Sequence, residues 1–362
     1  MPPPFPKKRS ARAALAAGLL LVLAMLLIAV RKQISWPASI NEGAGETSRS
    51  TSRSSPAPSS KSDRSKTPPR TRRAINEALS LLNDPGKRVL SAEEIDAFVS
   101  SRNRSVDSLL SAFRLGGDQA FLKEAMERFP DHPQVLVMSL SQEPRAEQRL
   151  AILENLKRAD PDNALGNCMS ACALLELGRK QAALEELQKS VGKPFGNFAM
   201  ESALNDEELY LASGVPSAEA KMMALFGLNN PHILKMRGLA DGMRTMIADY
   251  QAAGDGESAV ALRAIQVELG QQLQESGNGI DLLVGMLVEK KALEGVDSQE
   301  AATRLEELAQ QKQSFTGKSE QVVNLMSDPA VPEGDWLLYF DRVKLFGEAA
   351  ANEWMLEKHP RP

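Results

Sequence analysis

The sequence predicts an all-α protein, and three observations carry that reading. From residue 74 onward apolar residues recur at helical spacing, as in Ile75, Ala78, Leu79 and Leu82, which share one face of a 3.6-residue turn. Start and stop signals frame such runs. Ser91-Ala92-Glu93-Glu94 is a capping box opening a helix that carries Ile95, Phe98 and Val99, and Gly116-Gly117 ends one that carries Val106, Leu109, Leu110 and Phe113. Finally, no stretch shows the sustained period-two alternation and hairpin turns of a sheet.

What precedes this helical body differs in kind. Residues 1–73 hold fourteen Lys or Arg against Glu42, Glu46 and Asp63, a net +11; with an overall charge of −4, residues 74–362 are left at −15. An acidic body repels phosphate backbones, so nucleic acid is not an expected partner. After a short basic segment (1–12), residues 13–30 form an uncharged run dominated by Leu, Ala, Val, Ile and Met. As a helix it spans roughly 27 Å, enough for a bilayer core, with Arg12 and Arg31 able to snorkel at its ends. The competing reading is a cleavable signal peptide with Lys7, Lys8, Arg9 and Arg12 as its positive region. The run ends in Arg31-Lys32, a poor cleavage context, so a retained single-pass anchor in the bilayer is expected. Basic residues lean slightly to the N-terminal side, which places the C-terminal domain outside the cytoplasm, in the periplasm of a bacterium.

Residues 31–73 read as a disordered Ser/Pro/Arg-rich tether. Between Ile40 and Ile75 there is no Val, Ile, Leu, Met, Phe, Tyr or Trp, so nothing offsets the entropy of ordering. A flexible chain of this length holds a domain about 30–35 Å from its anchor.

Within the body, prolines recur at Pro130, Pro161 and Pro194. Ala159-Asp160-Pro161-Asp162-Asn163-Ala164 starts a unit with one helix to Leu177, a turn at Gly178, and a second helix through Ser190. With Ala171 at the inter-helix contact and Ala183, Leu187 and Ser190 in the second helix, this unit resembles a tetratricopeptide repeat. Asn167 stands where the family has an aromatic, and Ser170-Ala171 where it has Leu-Gly. The resemblance is specific over 160–194 and diffuse from about 105 to 275, where Tyr250, Gly254-Asp255 and Ala259 fit in part. It implies a solenoid of stacked helix pairs over 74–275 that binds a protein or peptide.

Residues 276–362 read as a helical extension or cap. Long helices are expected around Ile233–Ala252, Glu257–Gln274, Asp281–Leu293 and Glu300–Gln313. Trp336, Leu337, Tyr339, Phe340, Val343, Phe346 and Trp354 are expected to cover the end of the stack, with an exposed partner site as the alternative, because a terminal cap should be polar outside.

Catalytic, cofactor and metal residues are expected to be none. His132 and His232 sit beside prolines at helix starts, His359 is near the end, and none has a metal-ligand spacing. Cys168 and Cys172, one helical turn apart, read as core thiols. Gly317-Lys318-Ser319 lacks the earlier glycine of a phosphate loop, since residue 312 is Lys312, and reads as a helix-ending turn. Gly254-Asp255-Gly256 and Gly277-Asn278-Gly279 read as inter-helix turns. Asp206-Glu207-Glu208 and Glu93-Glu94 read as helix N-terminal carboxylates. One cluster invites a functional reading: Met222, Met223, Met236, Met243 and Met246 suit either core filling or an adaptable peptide-binding groove. The expected activity is that of a membrane-tethered, non-enzymatic adaptor or scaffold. The alternatives are a structural subunit of an obligate envelope complex and, last, an enzyme with an unfamiliar site.

Overall fold

The computed structural model describes residues 90–143, 145–227, 231–326, 328 and 330–360. The expected membrane helix 13–30, the tether 31–73 and the helical signal at 75–82 lie outside these residues. The described part forms helices and no strand, all within one contact unit, Pro85–Pro362.

The first seven helices follow one another as neighbours: α1 (Ala92–Ser101), α2 (Val106–Gly116), α3 (Gln119–Arg128), α4 (Pro133–Leu140), α5 (Ala146–Ala159), α6 (Ala164–Glu176) and α7 (Lys180–Ser190), each packing on the next up to α7. Their ends are where the local chemistry puts them. Ser91 Oγ accepts from the Glu94 amide while Glu94 Oε2 accepts from the Ser91 amide, the reciprocal capping box. Gly117 closes α2 in the left-handed region at φ 72°. Asn163 caps α6, and its side chain also bonds the Gly196 backbone in both directions, tying the helix start to the chain beyond α7.

Helix α6 is buried almost all round, as a helix flanked on several sides must be. Ala171 and Ala183 are fully buried in the α6–α7 pair. Asn167 donates to Glu186 Oε2 (2.9 Å), which also accepts from Lys157 of α5 (2.8 Å). These bonds form a polar tie across α5, α6 and α7.

From α8 (Ala199–Ala212) the sequential order ends. This helix returns to α2 and α1, and α9 (Ser217–Phe226) packs on it. Leu209, Tyr210, Ala220 and Ala224 join Ile95, Phe98, Leu109, Leu110, Leu122 and Val135 in one core cluster. A forked Arg114–Asp206 pair fixes the return, with Nη2–Oδ1 at 2.6 Å and both side chains largely buried. Asp206, Glu207 and Glu208 therefore lie in the C-terminal half of α8, not at a helix start. They are placed by cations, Arg114, Lys344 and Arg102 respectively, rather than by a helix dipole.

The remaining helices are α10 (Pro231–Ala252), α11 (Gly256–Gln274), α12 (Gly279–Leu293), α13 (Gln299–Leu325), α14 (Glu333–Phe346) and α15 (Glu348–Lys358). Helix α10 packs on α6, α11 and α12, which together with α4–α7 build the second core cluster. Packing does not pause at residue 276. A Cβ on Gly285 would lie 2.5 Å from Gly270 O, so α11 and α12 meet backbone to backbone. Helix α13 runs through Gly317, which the sequence reads as a stop. Burial of Phe315, Ser319, Val322 and Val323 holds the helix together past it, against a cost of about 1 kcal/mol for an interior glycine. Last, α14 packs on α15 and returns to α9, where Lys221 bonds Glu207 (3.0 Å) and Asp341, and Lys344 bonds both acids as well. The order of helix contacts thus closes on itself, from α2 through α6, α10, α12, α13, α15, α14, α9 and α8 back to α2.

Candidate functional site

The methionines do not come together as one surface. Met236, Met243 and Met246 are buried in the second core cluster among Ile233, Leu239 and Leu165. Met223 is half-buried against the first cluster, and Met222 is half-buried on the same helix. Three of the five fill gaps between helices, a common use of a flexible thioether, and the groove expected from their sequence proximity is not formed by them.

Ionisable groups with displaced pKa values are scattered as well. Cys168 and Cys172 are free and buried; burial pushes Cys168 up to about 12 and Cys172 further, which disfavours the thiolate in both. His232, buried at the start of α10, is pushed down to about 4 by burial, with Nε2 lacking a partner. Burial raises Asp281 to about 6 and Glu348 to about 7, the latter although its carboxylate accepts from the Gly279 amide. A pocket of about 350 Å³ lies between α13 and α15, lined by Gln321, Asn324, Leu356, His359 and Pro360. His359, its one titratable lining residue, is held 2.9 Å from Asp335. Among the described residues no group of three or more His, Cys, Asp or Glu is arranged to hold a metal ion, and no helix is long and apolar enough to cross a membrane.

The surface that departs most from a polar exterior is on the last two helices. The inner face of α14 carries Trp336, Tyr339, Phe340 and Val343, all buried. Tyr339 stands edge-on to Trp336 (5.7 Å) and Phe340 (5.5 Å), and its hydroxyl donates to Asn352 of α15, which in turn donates to Ser319 of α13. These aromatics pack inward, and the hydrogen bonds through Asn352 and Ser319 link α14 to α15 and α13. The outer face is apolar too: Leu338 is 50% exposed, Leu345 73% and Phe346 61%. Between the two leucines lies Arg342. Its guanidinium stacks 5.1 Å from the Phe346 ring and 5.1 Å from the half-buried Trp354 ring, and its Nε is buried with no acceptor. Lys358 also lies 5.1 Å from the Trp354 ring and is bonded to Asp335 (2.7 Å). The neighbouring cations Lys344 and Lys358 each have a carboxylate; among the described residues no ion pair engages Arg342.

Trp354 and Phe346 were legible as candidates in the aromatic cluster, whereas Leu338, Arg342 and Leu345 were not. Their signal was nonetheless present. A helix that reads apolar on both faces, with two leucines a heptad apart outside the aromatic face, has one face more than its own core uses.

No protein-family model matches the chain, and no curated protein or solved structure does.

Proposed function

We propose that the chain is a non-enzymatic adaptor or scaffold, held to a membrane by residues 13–30 and binding a protein or peptide through its helical body. The observation that carries the reading is the outer face of α14, where exposed Leu338, Leu345 and Phe346 surround a guanidinium stacked on Trp354. Trp and Arg are the residue types that most often dominate binding energy at protein interfaces. An apolar stripe one helix wide suits an exchangeable partner, whereas a subunit of an obligate complex buries a far larger apolar face. Buried ionisable groups that do not converge on the pocket weigh against an enzyme.

Affinity capture with the full-length protein and with Leu345→Asp tests this. An adaptor should retain a partner that exchanges on dilution, and loss of that partner in the variant would assign it to the outer face of α14. A partner present at fixed stoichiometry and indifferent to dilution would support the obligate-complex reading instead.

A further inference from the structure

We infer that the outer face of α14 seats a single amphipathic helix of a partner protein, which lays an apolar stripe along Leu338, Leu345 and Phe346 and sets a carboxylate against Arg342. The inference rests on the adaptor reading and supplies it with a surface and a partner chemistry.

Leu338 and Leu345 are seven residues apart, about 10 Å along the helix, with Phe346 extending the stripe by one position. That spacing is one heptad, the interval at which a second helix crossing at a shallow angle presents its own apolar residues. Arg342 falls between the leucines and sets the charge requirement. Any occupant of the stripe covers the guanidinium and removes its water, and its Nε already lacks an acceptor. A purely apolar occupant would leave more of the five donors unpaired at a cost, whereas a carboxylate takes two of them in a forked pair. The rings of Phe346 and Trp354 hold the guanidinium in place beforehand, so little side-chain freedom is lost on binding.

The same features select against other occupants. A second copy pairing antiparallel through the Leu338–Leu345 stripe would bring Arg342 of each chain to the two-fold axis, setting like charges together. Helix α14 has 14 residues, about 21 Å in length, so one such face suits a weak, exchanging contact and falls short of the roughly 800 Å² per partner that a stable homodimer needs.

The test is selection of a displayed library of single 18-residue helices on the full-length protein, with Leu345→Asp and Arg342→Glu as counter-targets. Both substituted side chains are exposed or half-buried, and unchanged circular dichroism and melting of the variants guard against misfolding. The expected winners carry apolar residues seven apart with Asp or Glu between them, lose binding to Leu345→Asp, and on Arg342→Glu give way to winners with Lys or Arg at the middle position. A Glu-to-Lys change in a winning helix should weaken binding at least about tenfold. Failure to enrich any helix, winners that still bind Leu345→Asp, or winners without the acidic preference would overturn the inference. So would concentration-dependent dimerisation, or binding to phosphatidylcholine–phosphatidylglycerol vesicles, that disappears in Leu345→Asp. If affinity capture retains an exchanging partner that Leu345→Asp leaves bound, the seat is wrong while the adaptor reading stands; if no partner is captured at all, it is the adaptor reading that falls.

Discussion

Replacing Asp281 by asparagine removes a buried ionisable group three residues into α12. The side chain is fully buried: Oδ2 accepts from Ser276 Oγ (2.8 Å) and from Asn197 Nδ2, while Oδ1 has no partner. Burial raises the pKa from 3.8 to about 6, outweighing the two hydrogen bonds that pull it down. Because the folded value lies above the unfolded one, the native chain holds this proton more tightly. The stability it contributes is complete below about pH 4 and is lost as pH rises through about 6. A gap of roughly two units corresponds to about 3 kcal/mol. The substituted amide keeps an acceptor for Ser276 and Asn197 but cannot ionise. Its NH₂ group, facing the unpartnered position, adds a fixed penalty of about 1–3 kcal/mol at every pH. Relative to the parent, Asp281→Asn should therefore gain about 3 kcal/mol between pH 4 and pH 7.5. Glu348, also raised, is present in both proteins and cancels in the difference. Urea unfolding followed by helical circular dichroism at pH 4, 5.5 and 7.5 measures it. A difference between the two proteins that stays constant within about 1 kcal/mol across that range would refute the reasoning.

Two glycines make a paired test of helix contact: Gly285→Ala should destabilise by about 1–3 kcal/mol, because its Cβ would meet the Gly270 carbonyl, whereas Gly317→Ala, with no atom near its Cβ, should stabilise by about 0.5–1 kcal/mol. Thermal melts of both variants check the order. In the repeat-like unit, Ala171→Leu should lower the melting midpoint clearly, since Ala171 is fully buried, and Ala182→Leu, half-buried one position off that face, should lower it far less; equal midpoints would show the register from Asn163 to Ser190 to be misread. N-terminal sequencing of membrane-extracted protein is expected to find residues 13–30 retained. A start between Ser35 and Ile40 would show that residues 13–30 are cleaved as a signal peptide.

The helices were legible because their causes are local. The capping box at Ser91, the glycine stop at Gly117 and the turns at Gly254 and Gly277 act over three or four residues, and each stands where the sequence puts it. Gly317 was misread because a local stop signal competes with burial on both sides of it, and burial comes from α12 and α15, which no local pattern reveals. Arg114–Asp206 spans 92 residues of sequence and Lys344–Glu207 spans 137. Periodicity carries no information at such separations, so the carboxylates at 206–208 could be read only as a helix-end cluster. The exposed outer face of α14 was hidden for the converse reason. Its leucines continue an apolar segment, and the pattern alone does not say which of two apolar faces the core takes.

The return of α8 and α9 also bears on where a partner can bind. In an open array of helix pairs, the faces of the early helices are the natural place for a peptide. Here Leu209, Tyr210, Ala220 and Ala224 already occupy the apolar face of α1–α4, and the Arg114–Asp206 pair holds them there. The methionines around α10 are consumed in the same way by α6, α11 and α12. With both of those faces filled by the chain's own helices, a partner of the proposed kind would have to use apolar surface that the closed circuit of contacts leaves over. Helix α14 offers it: its aromatic face completes the circuit through α15 and α9, and its opposite face keeps Leu338, Leu345 and Phe346 exposed beside a guanidinium that no ion pair engages among the described residues.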